Sequence, residues 1–480
     1  MKTQGITVSK SDFSEWYSQV CLKADLADVR FGIQGFIVHK PWGYRIIRHI
    51  YEYLEREVEM QDHEPILFLR AVKEAHLNAE AEHAGFTPEV MWVSQAGDGD
   101  LEERFALPPT GEAQIYPMFS LWLRSHNELP YKVYQSRIST FRYEMTTRPF
   151  LRGREFCFFE THNAYAHHQE ALDQIELDFR TCEKVMGDIC KIPFKYFKRP
   201  EWDKFLGADA TYCADSLMPD GKRTQLASTH DLGQRFAEAY NIKIKNGDGD
   251  MQLVYQTCFG PGIWRIMAAI IGVHGDDNGL CLPVAVAPLH IVIVPILKKG
   301  DETVMPFVKE LERTLKDEGY RVKCDVRNRS PGNKFHEWEL KGVPLRIEVG
   351  PRDVGNNEVV LAPRIGDKET VSMDQFTDRV PAVLNEYELR LSQRAEGYFN
   401  DSVREAGTMD ELANILEEHR GFVKVAVSSV EKEMIEDTIK EKTGARVCGT
   451  LYPEPEPVSG QSCIVTGDKA KHIVYVCKSH

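Results

Sequence analysis

Residues 140–162, TFRYEMTTRPFLRGREFCFFETH, gather the side chains of this 480-residue chain best suited to chemistry. Three arginines (Arg142, Arg152, Arg154) and three carboxylates (Glu144, Glu155, Glu160) stand beside Phe156, Phe158 and Phe159. Residues 140–144 and 155–161 carry strand-like alternation and aromatic content, with Arg148 and Pro149 between them, so an antiparallel hairpin is expected. Residues two or four apart on a strand share a face, which groups Arg142 with Glu144, and Phe156 with Phe158 and Glu160. Such a face suits a nucleotide: the guanidinium forks onto phosphate oxygens, the carboxylate accepts from an exocyclic amine, and the ring stacks on a base. A solvent-facing, ion-paired hairpin has the same composition, and exposed pairs are worth only ~0–1 kcal/mol either way.

The rest of the chain must position that hairpin. Its length allows about three domains and a large core. Hydrophobic residues are 42% and charged residues 28%, ordinary values for a globular protein. A formal charge of -14 disfavours a surface that coats nucleic acid, DNA included, so any RNA contact should be local and shape-dependent. The 11 cysteines never form C-x-x-C, which argues against a disulfide framework or a zinc ribbon and for a reducing cytoplasm. The N-terminal residues lack a signal-peptide core, and the apolar run 280–297 is broken by Pro283, Pro288 and Pro295. It reads as a linker and a buried strand, not a membrane span.

Several elements follow from periodicity. Residues 11–23 have amphipathic helix spacing, with Ser11 or Asp12 as the cap. A strand, a Pro41-Trp42-Gly43 turn and a helix come next, then a helix over 71–84 and a short strand over 91–93. Thr110 and Glu112 precede an apolar run in the pattern of a helix cap. A long helix is expected over 166–190, and an Asp-Gly turn between two strands near residue 220. The Gly260-Pro261-Gly262 turn should open a helix carrying Arg265. From Leu289 strands and helices alternate (a helix over 303–318 among them), which argues a compact α/β module. Beyond residue 381 a charged helix, a strand over 423–427 and a helix over 432–441 are expected.

Phe141, Arg142, Glu144, Arg152, Phe156 and Glu160 have the spacing of F-R-x-E, loop, R-x-x-x-F-x-x-x-D/E, which resembles motif 2 of the class II aminoacyl-tRNA synthetases. The wording FRYE…TRPFLRGREF…E-x-H is similar to that of the prolyl-tRNA synthetases of archaeal and eukaryotic type. The Pro41 element resembles motif 1, which implies a homodimer. The Gly-Pro-Gly turn with Arg265 resembles motif 3, lengthened by one residue. GNKFHEWELKGVPLRIEVGPRDV resembles the family's anticodon-binding domain. Three places depart from the family: Pro108 and Gly111 replace an arginine and a serine beside Thr110 and Glu112, Ser228-Thr229-His230 replaces T-S-H, and of the zinc-binding cysteines one pair is absent from residues 425–434 and the other has Thr466 after Cys463. Cys448, Cys463 and Cys477 do not make a four-thiolate site, so no structural zinc is expected. The sequence runs to His480 where the family has a terminal tyrosine.

The resemblance implies an α+β catalytic domain over 1–285, built as an antiparallel sheet flanked by helices. An α/β anticodon-binding domain over 286–380 and a small α/β C-terminal domain over 381–480 follow, with no editing module between motifs 2 and 3. It implies ATP-dependent activation of L-proline and transfer to tRNA(Pro), with Mg2+ assisting. Arg142 would bridge the proline carboxylate and the α-phosphate, and Arg152 and Arg265 would neutralise the rest of the triphosphate. Glu144, Phe156, Gln225 and Ser228 would hold the nucleotide. Thr110, Glu112, Phe158, Glu160, His162, Phe205 and His230 would enclose the imino acid. Glu348 and Arg352 fall where anticodon readers are expected, or form an ion pair. A paralogue with another amino acid or acceptor, and a catalytically silent tRNA-binding regulator, are the competing readings.

Overall fold

Strands Tyr131–Phe141 and Glu155–Tyr165 form the expected antiparallel hairpin near one edge of an eleven-stranded sheet in the computed structural model, which describes residues 5–78 and 90–480. Tyr255–Pro261, Arg223–Gly233, Ala210–Leu217 and Lys195–Lys198 continue the sheet, each pair antiparallel. Alternation along these strands separates two faces. Phe156, Phe158 and Glu160 look into an open cleft, whereas Phe159, fully buried, joins Trp16, Ile46, Ile50 and Met267 in a core under helices Phe13–Lys23, Pro41–Glu59 and Ile263–Ala269. Burying a ring of that size contributes about 1.5–3 kcal/mol and fixes which face stays open.

The first hairpin strand is longer than expected at its start and shorter at its end, so Arg142 and Glu144 lie on the loop, not on the ladder. Arg142 still donates its N–H to the Arg154 carbonyl at 3.0 Å, but Arg154 donates to Gly35 and Arg148 and Arg152 close a tight turn of their own. Phe150, fully buried, plugs this loop into the core. The loop is thus ordered by an apolar anchor instead of by strand pairing.

Other expectations fare differently. Asp12, not Ser11, caps the first helix by accepting from the Glu15 N–H. Pro41, Trp42 and Gly43 are the first turn of helix Pro41–Glu59, with proline where its missing donor costs nothing. A Cβ on Gly43 would lie 2.4 Å from the Leu26 carbonyl oxygen, so only glycine lets the helix pack there. Val72–Lys73 is a strand paired to Phe105 and Ala106, and residues 79–84 of the expected helix over 71–84 lie outside the described residues. Met91–Ala96 and Gly99–Leu107 form a hairpin with it. Helix Glu112–Trp122 starts at Gly111 without a side-chain cap, so Thr110 and Glu112 are free for other work. The helix over 166–190 is seen as His168–Cys182 followed by a wider turn through Ile189.

The α/β module pairs Ile291–Pro295 in parallel with Val322–Cys324 and Leu345–Val349, and adds two antiparallel strands. Helix Met373–Asp401 crosses the expected boundary at 380/381 with Pro381 inside it. The last strands, Phe422–Val427, Arg446–Leu451 and His472–Cys477, are not a separate sheet: Thr450 and Leu451 pair with Lys198 and Phe197, extending the main sheet. No helix among the described residues is long and apolar enough to cross a membrane.

Behind the sheet Asp178 accepts from Thr229 Oγ1 at 2.5 Å and from Gln174 Nε2 at 2.9 Å, and burial raises its pKa to about 7. A carboxyl raised above its unfolded value stabilises the fold most at low pH and loses that contribution as pH rises through 7. Three units at about 1.4 kcal/mol each set an upper bound on the order of 4 kcal/mol. Asp178→Asn should therefore raise the melting temperature relative to the parent more at pH 8 than at pH 5. An equal shift at both pH values would contradict the burial of a titrating Asp178.

Candidate active site

The open face of the sheet forms a cavity of about 690 Å3, the size of a small-ligand site. Arg142 and Arg152 enter it from the hairpin loop and Arg265 from the first turn of helix Ile263–Ala269. Burial depresses the Arg265 pKa, and the positive fields of Arg152 and Arg142 depress it further. The three guanidiniums thus share one space. Glu144 offers opposite charge 3.3 Å from Arg152 and 3.8 Å from Arg142, and the field of Asp215 acts on Arg265. Arg152 also donates to the His480 main-chain oxygen at 2.8 Å, so the last residue of the sequence reaches this loop. Phe156, edge-on to Phe158, forms the apolar wall beside the arginines.

The far end of the cavity is built from buried polar groups. Glu160 accepts from Gln135, from the Gly111 N–H at 3.1 Å and from Thr110 Oγ1 at 3.4 Å, and lies 3.1 Å from His162 Nε2. Burial would raise its pKa, but the charge and hydrogen bond of His162, Gln135 and Arg70 outweigh that and hold it below the usual carboxylate range. Burial would likewise lower His162, and Glu160 more than reverses this, raising it. A Cβ on Gly111 would come within 2.2 Å of Glu160 Oε1, so glycine is what lets this turn lie against the carboxylate. Glu112 differs from Glu160: burial pushes its pKa up, and its Oε2 is buried with no partner among the described residues. Cys258 Sγ donates to Glu112 Oε1 at 3.4 Å. Glu112, His162 and Cys258 place three potential ligand atoms within 4.8 Å of one another. An orphaned carboxylate oxygen in such a place calls for a cationic or hydrogen-donating ligand.

His230, Ser228 and Phe205 close the floor. Thr211 Oγ1 accepts from the Phe205 N–H and pairs with His230 Nδ1 at 2.9 Å, while His230 Nε2 faces Ser228 Oγ at 3.1 Å. Burial, with His162 and Arg199 adding to it, lowers the His230 pKa to about 3, so this imidazole is neutral. The Phe205 ring stands 4.8 Å from that of His230. Strand alternation turns Thr229 away from the cavity toward Asp178. The swapped Ser-Thr order therefore leaves the smaller hydroxyl in the cleft and gives the buried carboxyl its donor.

Of the sixteen site residues singled out in the sequence, thirteen line the cavity, Thr110 and Gln225 among them, and three do not. His162 sits just behind Glu160, not on the wall. Glu348 and Arg352 lie in the α/β module and do not pair with each other: Glu348 is engaged by Arg346 at 2.9 Å and Lys368 at 2.6 Å, and Arg352 is exposed. Sequence reasoning missed Thr211, Cys258, Arg199 and Arg223. Counting back two residues from Gly260 on its strand would have found Cys258. Nothing local marks Arg199 and Arg223, whose shared carboxylate is Asp215.

An antiparallel sheet with an arginine-bearing hairpin loop and a facing helix arginine, followed by a mixed α/β module, defines a class II aminoacyl-tRNA synthetase. The tRNA synthetase class II core domain (G, H, P, S and T) matches residues 92–274 and the anticodon binding domain matches 290–382. The proline-tRNA ligase of Thermofilum pendens is 47% identical over 487 residues, covering all of both chains. That of Pyrococcus horikoshii is 40% identical and covers 98% of each. The prolyl-tRNA synthetase of Giardia lamblia, solved with prolyl-adenylate, superposes with a TM-score of 0.95 at 32% identity, over 99% of this chain and 100% of that one. The Cryptosporidium parvum enzyme, solved with L-proline and AMP, gives 0.93 at 30%, over 99% and 97%. The chain belongs to the proline-tRNA ligase family.

The two cavity histidines should differ in charge. With 15N-histidine labelling at pH 6.5, the signal lost in His162→Gln should be that of a doubly protonated ring, and the signal lost in His230→Gln that of a neutral ring. A neutral His162 under these conditions would contradict its pairing with Glu160.

Proposed function

We infer that this enzyme is a proline-tRNA ligase: it activates L-proline with ATP to prolyl-adenylate and passes the prolyl group to the 3′ end of tRNA(Pro). The observation that carries the reading is one cavity with a cationic, aromatic end and a buried Glu112–Glu160–His162 end. The first fits a triphosphate and a base, the second a small ring bearing a secondary ammonium.

In this reading the proline carboxylate attacks the α-phosphorus of ATP and pyrophosphate leaves. Arg142 holds both reacting groups, and Arg152 and Arg265 stabilise charge on the other phosphates. Glu144 accepts from the adenine amine and Phe156 stacks on its ring. No side chain acts as nucleophile; alignment and charge stabilisation supply the rate. Glu112 Oε2 accepts from the ammonium, with Thr110 beside it and His162 behind. Phe158, Phe205 and the neutral His230 enclose the ring, and Ser228 and Gln225 complete the nucleotide side. Glu144 and Asp203, the carboxylates on the nucleotide side, already face Arg152 and Arg199, so Mg2+ is expected to be held by phosphate oxygens and water. A terminal ribose hydroxyl of tRNA then takes the prolyl group.

Further parts of the reading rest on other features. The domains are taken as 1–285, 286–380 and 381–480, the last two sharing helix Met373–Asp401. Glu348 and Arg352 are proposed as anticodon contacts, with Glu348 held in place by Arg346 and Lys368. Phe31, Ile33, Leu67 and Leu69 are apolar side chains left 52–79% exposed, which fits a homodimer that would cover them. The apolar cluster of Leu412, Val425, Ile439 and Val474 supports a C-terminal domain that folds without zinc. A cytoplasmic setting fits the free thiols.

Pyrophosphate exchange across all twenty amino acids, then charging of bulk tRNA, tests the reading. Proline should dominate, with alanine and cysteine as weak substrates because apolar contacts discriminate by only about 1–3 kcal/mol per methylene. Arg142→Ala should slow adenylate formation by about 10²–10³ or more. Exchange with a different amino acid, or none at all, would replace this reading by a paralogue or a silent tRNA-binding regulator. Light scattering should give twice the chain mass, and a monomer would remove the dimer.

A further inference from the structure

Arg199 is buried beside the nucleotide end of the cavity, yet no step above uses it. Its guanidinium forms a fork with Asp215, Nη1 to Oδ2 and Nη2 to Oδ1, both at 2.8 Å. The same two nitrogens have a second use each. Nη2 donates to Gln225 Oε1 at 3.3 Å, and Nη1 donates to the Cys448 carbonyl at 2.5 Å. Nε faces Asp203 at 3.7 Å, and Arg223 joins the node by donating to Asp215 at 2.9 Å.

Two features of this node reach beyond packing. An arginine only donates, so the Gln225 amide must turn its oxygen toward Arg199. Its NH2, which makes no hydrogen bond among the described residues, is then the end left for a ligand in the cavity that Gln225 lines. The second feature is a bulge. Cys448 is unpaired between Val447, opposite Val476, and Gly449, opposite Tyr475. A bulge re-aims what the ladder would otherwise hold, and here it frees the Cys448 carbonyl for Arg199. The last strands of the chain thereby contact a side chain that sets the orientation of a cavity amide.

We propose that Arg199 is a positioning residue for the nucleotide: anchored by Asp215 and by the bulged Cys448 carbonyl of the C-terminal strands, it fixes Gln225 as a hydrogen-bond donor to oxygen atoms of ATP. The proposal rests on the ATP site inferred above. It gives the C-terminal strands a part in nucleotide binding that needs no metal. Gln225 touches the ligand; Arg199 acts only through it.

Arg199→Lys keeps the charge that Asp215 needs, but one ammonium does not serve Asp215, Cys448 and Gln225 in fixed directions at once. In proline-dependent pyrophosphate exchange the KM for ATP should rise about 5–20-fold and the KM for proline stay within about two-fold. In a Gln225→Ala background the same change should move the KM for ATP by less than about two-fold, because the group it positions is gone. Equal changes in both KM values, or the full ATP effect persisting without Gln225, would overturn the proposal. If thermal melting shows Arg199→Lys unfolded, the isosteric Gln225→Glu decides: it keeps the Arg199 contact but replaces the donor, so the KM for ATP should rise about ten-fold or more. An unchanged KM in that variant overturns the assignment of the NH2. Absence of exchange in the parent enzyme would instead count against the activity itself.

Discussion

Like charges held together demand a partner, and the cleft of this protein depends on that. Arg142, Arg152 and Arg265 meet across one cavity, Glu144 faces the first two, and burial together with the fields of those two depresses the third. A fold keeps such an arrangement only where the surroundings over-determine it. Here Phe150 anchors the loop in the core, and Gly262 caps the helix that presents Arg265. In the proposed reading that charge receives the phosphates of ATP. In that reading no nucleophilic side chain is needed, since the same cations would stabilise charge as it shifts from the α-phosphorus to the leaving group.

The opposite end of the cavity solves a different electrostatic problem. Two carboxylates, an imidazole and a thiol are buried within reach of one another, and their pKa values are driven apart: Glu160 down, Glu112 up, His162 up. Glu160 spends its acceptors on Gln135, Gly111, Thr110 and His162, so it serves as the frame. Glu112 keeps one oxygen free among the described residues, and in the proposed reading that oxygen is the specific handle. Division of labour between neighbouring carboxylates is how a small apolar pocket recognises a polar atom.

Much of this was legible in the sequence because motif spacing and strand alternation are local. The hairpin, Phe156–Phe158–Glu160 on one face and the helix behind Gly262 all follow from period and turn chemistry. What was not legible is tertiary. The strand stops at Phe141 because Phe150 and Gly35 compete for the loop, and Thr110 and Glu112 serve the cavity instead of capping a helix. Arg199, Asp215 and Cys448 are separated by up to 249 positions, and only the joined sheet brings them together. The Ser-Thr order at 228–229 had no reading until Asp178 appeared behind the sheet.

The central claim is that one triphosphate satisfies all three arginines. A crystal structure with a non-hydrolysable ATP analogue and Mg2+ tests it most directly. The account predicts phosphate oxygens within hydrogen-bonding distance of Arg142, Arg152 and Arg265 together, with the adenine against Phe156. A triphosphate that leaves Arg142 or Arg265 uncontacted, or a base bound elsewhere, would contradict it.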